Sequence, residues 1–200
     1  MATSPEDVVN LALVRIGYPQ RVGSLYEGSK PAKSALDIYA QTRDELLRSF
    51  AWGFAERDVA LALQKTAPPG GYTVPWTNAY PILPWIFQYA YPADCLEIRA
   101  IRRSPIFIPE FDPKPVVFRV ANDNSFAPPV KVILCNAAGA ILVYTARVTD
   151  VTTWEPLFVE ALAAALARRL APMLAKAQNA VQIEAQDEAM ETGAAEQVRG

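Results

Sequence analysis

The sequence predicts an α+β chain: a helical bundle built from N- and C-terminal helices, with a β-rich, proline-rich middle section inserted. Three observations lead there. Twelve of the 17 prolines lie between Pro68 and Pro129, and proline breaks helix interiors. The flanks are alanine-rich and repeat apolar residues at helical spacing. Short runs after Pro92 are rich in β-branched residues. The expected boundaries are 1–64 for the N-terminal helices, 65–149 for the β-rich insertion with its aromatic loop, and 150–200 for a C-terminal helix and acidic tail that complete the bundle.

The first helix should begin at Ser4. That residue can cap it, Pro5 suits the first helical position, and Glu6 and Asp7 favour the positive end of the helix dipole. Val9, Ala12, Leu13 and Ile16 form its apolar face, and Gly17 and Pro19 stop it. A second helix should start at Ser29, with Pro31 in its first turn. Ala32, Ala35, Leu36, Tyr39, Leu46, Leu47 and Phe50 fall on one stripe. Arg43 lies on that stripe and needs an anionic or carbonyl partner there; a structural ion pair and an interface role are its two readings. Residues 51–63 read as a strand or extended segment leading out of the helix.

Pro68-Pro69-Gly70-Gly71 is a clear break. Between 72 and 92, aromatic residues alternate with prolines, and Trp76, Tyr80 and Trp85 stand out. Either these rings pack on a neighbouring sheet or they anchor a protein interface, where Tyr and Trp are favoured. Strands are expected at 95–101, 106–108, 116–120, 130–135 and 140–145, with a hairpin turn at 136–139 joining the last two. Cys95 and Cys135 fall in this sheet as buried thiols. Thr152 and Glu155 fit a capping-box spacing before a helix whose stripe is Phe158, Leu162, Ala165, Leu166, Leu170, Met173 and Leu174. Pro172 should kink it. Glu184, Asp187 and Glu188 belong to an acidic end that is either a further helix or a tail that orders on a partner.

Composition excludes several functions. Hydrophobic residues make up 52% and charged residues 20% of 200, an ordinary globular composition. There is no histidine and there are two cysteines, so a Ser-His-Asp triad, a His-ligated zinc site and a cysteine framework are all excluded within one chain. No phosphate loop, dinucleotide fingerprint or nucleophile elbow occurs. No catalytic, cofactor-binding or metal-ligating residue is therefore assigned. The net charge is -2, which does not suit a chain that grips nucleic acid. The acidic start lacks a targeting pattern, and the apolar run 157–170 is interrupted by Glu160, Arg168 and Arg169. A soluble protein made in the cytoplasm, with reduced thiols and no membrane partner, is expected.

Four segments, in order, resemble the head-to-tail adaptors of short-tailed bacteriophages, the tail tubular protein A family. Arg43-Asp44-Glu45-Leu46-Leu47 followed by Trp52-Gly53-Phe54-Ala55 and Arg57 is similar to the family's R-D-x-x-L, W-x-F-A and arginine. Tyr91-Pro92-Ala93-Asp94-Cys95-Leu96 is similar to its L-P-x-D-C-L. Tyr144-Thr145-Ala146-Arg147-Val148-Thr149-Asp150, then Trp154-Glu155-Pro156 and the alanine-rich helix, form the third. The opening Leu11-Ala12-Leu13-Val14-Arg15-Ile16-Gly17 also fits. The resemblance spans roughly residues 8 to 176; the aromatic stretch 72–91 and the tail fall outside its shared pattern.

The resemblance implies a structural virion protein at the portal vertex. Such adaptors form a ring, usually of twelve copies, between the portal and the nozzle (tail tubular protein B), and tail fibres attach to some. DNA passes through the lumen without specific binding. Arg43, Asp44, Trp52, Phe54, Arg57, Pro92, Asp94, Cys95, Asp150 and Trp154 are then read as internal framework, with Arg57, Asp94 and Asp150 making salt bridges or turn hydrogen bonds. Arg99, Arg102 and Arg103 opposite the acidic end are a candidate subunit contact, beside the reading that both patches are simply solvated. The alternatives are an adaptor of a long-tailed phage or gene-transfer particle that docks a stopper protein, a small enzyme, and a nucleic-acid-binding regulator.

Overall fold

The computed structural model describes residues 4–103 and 116–175. The chain divides into two compact units, Met1–Leu46 with Thr149–Gly200, and Leu47–Val148. Among the described residues it is mainly β: seven strands in two antiparallel sheets against three α-helices. This corrects the expected fold class of a helical bundle with a β insertion. The first strand, Glu56–Ala60, lies in the stretch read as a strand or extended segment, ahead of the expected domain boundary at 65, and the strands Leu63–Thr66 and Phe87–Ala90 were not among the expected β-branched runs. The predicted strand at 106–108 and Glu184, Asp187 and Glu188 lie outside the described residues.

In the first unit, α1 (Pro5–Arg15) opens as expected. The Asp7 amide donates to Ser4 Oγ, the Ser4 amide donates to Asp7 Oδ2, and Pro5 follows the cap. Val8, Val9, Ala12 and Leu13 are buried. Gly17 ends it at φ +70°, a conformation that suits glycine. The loop that follows is tied down by polar side chains. Asn10 Nδ2 donates to the Val22 carbonyl, and the Val22 amide donates back to Asn10 Oδ1. Glu27 Oε2 accepts from the Gly23 and Ser24 amides.

The second helix, α2 (Lys30–Ser49), buries Ala32, Ala35, Tyr39, Thr42, Arg43 and Leu47. Leu36 and Phe50, expected on the same stripe, are 39% and 66% exposed. Helix α3 spans 156–175 and runs through Pro172. Phe158, Leu162, Leu166, Leu170 and Leu174 are buried along one stripe, while Met173 is exposed. Its cap also differs from expectation. The Phe158 and Val159 amides donate to the Glu155 carbonyl, so Glu155, not Thr152, sits at the helix start. Thr152 belongs instead to a 3-10 turn, Val151–Thr153, capped by Asp150.

In the second unit, one sheet has the order β1 (Glu56–Ala60), β7 (Ile141–Ala146), β4 (Cys95–Arg102). The other has the order β2 (Leu63–Thr66), β3 (Phe87–Ala90), β6 (Val130–Cys135), β5 (Phe118–Asp123). The chain changes sheet at Leu61-Ala62, at 91–94, between β4 and β5, and at 136–140. The hairpin expected at 136–139 is therefore absent: β6 and β7 follow one another in sequence but lie in different sheets. Gly139, at φ +59°, serves that turn. Both strands are central and heavily buried, so each shows the near-continuous apolar run of a doubly covered strand. That similarity is why they read as partners.

Candidate functional site

Parts of three segments that carry the family resemblance, at 52–57, 91–96 and 144–148, lie on or beside the β1-β7-β4 sheet. In its register Arg57 stands opposite Tyr144, and Cys95 opposite Ala146. The Tyr144 hydroxyl donates to Asp94 Oδ1 at 3.0 Å, and the Arg147 amide donates to the Asp94 carbonyl at 2.7 Å. Asp94 thus ties the start of β4 to the end of β7, with Pro92 just before it; the Cys95 amide donates to the Pro92 carbonyl. Burial first, then the bond to Asp94, push the Tyr144 hydroxyl up to about 12. Arg57 is exposed and makes no ion pair among the described residues, against the expectation of an internal one.

Trp52 is buried, 9% exposed, with the rings of Phe50 and Phe54 at 5.6 and 6.2 Å. Burial pushes both the Cys95 and Cys135 thiols up, and both are free, which leaves them unreactive.

In the helical unit, Arg43 is 9% exposed. Its Nε and Nη2 both donate to Asp44 Oδ1, at 2.9 and 2.7 Å. The structural ion pair is formed with the next residue of the same motif. Asp150 Oδ1 accepts from the Thr152 amide and hydroxyl, and those bonds hold its carboxyl below the usual range. Trp154 meets Phe158 edge-on at 4.9 Å. These residues are frame rather than reactive groups.

Two of the three arginines read as a charged contact, Arg99 and Arg102, are engaged within the β unit. Arg99 donates to the carbonyls of Arg48 and Phe50 and to Thr145 Oγ1. It satisfies orphan carbonyls at the end of α2. Arg102 pairs with Asp58 at 3.3 Å on the surface, and Arg103 also has a partner. The aromatic segment folds on itself. The Tyr72 hydroxyl donates to the carbonyls of Pro81 and Trp85, and the Trp76 indole donates to that of Pro81. Trp85 is half-buried, whereas Trp76 remains 45% exposed.

Two concave sites accompany this frame. The helical unit has a groove of about 560 Å³ with Leu11, Val14, Trp154 and Val159 as its apolar lining and Asp7 and Arg21 among its polar groups. Val14 is 60% exposed. The β unit has a smaller polar pocket of about 170 Å³ where the aromatic loop, β3 and the β5–β6 turn come together. At its heart is Asp123, which sequence reading missed. Asp123 Oδ2 accepts from Lys65 Nζ at 2.5 Å and from Gln88 Nε2 at 2.6 Å. Its Oδ1 accepts from the Ser125 amide and hydroxyl. Burial would raise its pKa, but these hydrogen bonds together outweigh burial and hold the carboxyl well below the usual carboxylate range. The local signal was only Asn122-Asp123-Asn124-Ser125, a turn-forming run; its partners lie 35 and 58 residues away.

Among the described residues, no group of histidine, cysteine, aspartate and glutamate is placed to hold a metal ion, and no helix is long and apolar enough to cross a membrane. Searches of protein-family models and of curated proteins find no match to this chain.

Proposed function

We propose that this chain is a structural adaptor of a short-tailed phage particle, assembling as a ring between the portal and the tail nozzle. The observation that carries the reading is the amount of large apolar side chain left in water on both units. In the helical unit Val14, Tyr26 and Leu157 are 60%, 82% and 69% exposed. In the β unit Phe50 and Val117 are 66% and 75% exposed. Apolar groups exposed side by side mark surfaces that a partner covers, and Val14 shares a groove with Leu11, Trp154 and Val159. A closed ring needs two different complementary surfaces on each subunit, and apolar exposure on both units supplies candidates for both. The resemblance adds which particle: most of its residues, though not the exposed Arg57, are engaged in internal contacts, which leaves the surface to vary with the partner. An adaptor of a long-tailed particle would use the same frame, with a stopper in place of the nozzle.

Co-sedimentation with portal-bearing heads from the same genome tests this. The chain should pellet with the heads. Val14→Asp and Leu157→Asp should melt within about 0.5 kcal/mol of the parent, as surface changes do, and should no longer pellet. A parent chain that stays in the supernatant would overturn the reading.

A further inference from the structure

We propose that the polar pocket of the β unit binds a neutral sugar ring. The inference stands apart from the adaptor reading and rests on what hydrogen-bonding capacity the pocket has left.

Charge is already cancelled there. The four hydrogen bonds to Asp123 fill the acceptor sites of a carboxylate. Lys65 Nζ is held by Asp123 and by Ser125 Oγ at 3.0 Å, and it lies 5.6 Å from the centre of the Phe126 ring. Neither charge is spare for an ionic ligand. What remains is neutral and works in both directions. The carboxamides of Asn78, Asn122 and Asn124 line the pocket and have no side-chain hydrogen bond among the described residues. Gln88, fully buried behind the wall, spends its amino group on Asp123 and Gln64, and its Oε1 is shielded from the pocket. A carboxamide both donates and accepts, and so does a sugar hydroxyl.

The rest of the lining suits the other side of such a ligand. The Trp76 and Tyr80 rings belong to the pocket, and aromatic faces take the C–H face of a pyranose. The Trp76 ring is fixed by its indole bond to Pro81 at 2.8 Å, so little order need be gained on binding. The volume of about 170 Å³ is far more than one bridging water occupies, about 10–15 Å³ on a comparable measure. It is below the 300–1,000 Å³ typical of drug-sized ligands, which fits a single ring. Trp76 and Tyr80, expected at a protein interface, acquire a smaller partner.

The test is a titration of the full-length, isotope-labelled chain by NMR. The probes are neutral methyl hexosides, with glucuronate and glucosamine as charged counterparts and a blocked tripeptide as the rival ligand. At least one neutral hexoside should saturably shift the Trp76 indole and the asparagine carboxamide signals, more tightly than either charged sugar. Trp76→Ala and Asn122→Ala should each weaken binding by about tenfold or more while retaining the parent melting profile. Should Trp76→Ala not fold, the exposed Asn124→Ala replaces it. A polysaccharide of the same unit that binds more tightly per unit would identify a chain as the source, and equal affinity a free sugar. No shift with any neutral sugar, tighter binding of the tripeptide, or variants that bind like the parent would overturn the proposal.

Discussion

Tyr39 and Trp52 show how far single residues can be judged from their surroundings. Tyr39 is 7% exposed and its hydroxyl is buried without a partner. Leaving such a group unpaired costs about 1–3 kcal/mol, so Tyr39→Phe should keep or raise the melting temperature. Burial first pushes the Tyr39 hydroxyl up to about 12. Its folded pKa is raised above the usual value of about 10, so its contribution is present below pH 10 and is lost as pH rises toward 12. Melting curves across that range should fall less steeply for Tyr39→Phe. Trp52 packs against two rings, and Trp52→Ala should cost about 3–5 kcal/mol in chemical denaturation. A folded, equally stable variant would contradict its role in packing. Both residues sit on an apolar pattern that the sequence displays; the missing hydroxyl partner depends on distant chain and has no local sign.

At the scale of elements, the helices were legible and the sheet pairing was not. Ser4, Pro5 and Gly17 mark α1 because capping is local chemistry. Most strand segments could be found from β-branched runs, but β2 and β3 could not. β2, Leu63–Thr66, has largely exposed residues, and β3 lies within the aromatic stretch. Pairing was hidden because central strands buried on both faces look alike, so β6 and β7 suggested a hairpin they do not form. Asp123 shows the same limit, since it joins β5 to Lys65 of β2 and Gln88 of β3. Its carboxyl pKa lies below the unfolded value of about 3.9, so its stabilisation is present above that pH. It is lost as pH falls from about 4 through the lower folded value. Asp123→Asn should therefore unfold at lower denaturant than the parent at pH 7, and the gap should narrow below about pH 4. A gap that is the same at both pH values would argue against an ionised Asp123.

For the whole molecule, composition spoke more clearly about function class than about architecture. The absence of histidine excluded a Ser-His-Asp triad within one chain, and the near-neutral charge argued against nucleic-acid gripping, before any element was placed. The mixed helix-and-strand content was legible, but its balance was not: counting alanine-rich flanks favoured a helical bundle, and two antiparallel sheets replaced it. The segments that resemble the adaptor family are spread along the sequence, and in the β unit they converge on Asp94, Tyr144 and Arg57 in one sheet. Such convergence is what a shared frame requires. The assembly claim rests on the exposed apolar groups, and it is open to one direct measurement. Native mass determination with negative-stain imaging would be made on the chain alone and mixed with the portal from the same genome. The account predicts a closed ring, or recruitment of many copies to the portal. A monomer or dimer that ignores the portal would contradict it.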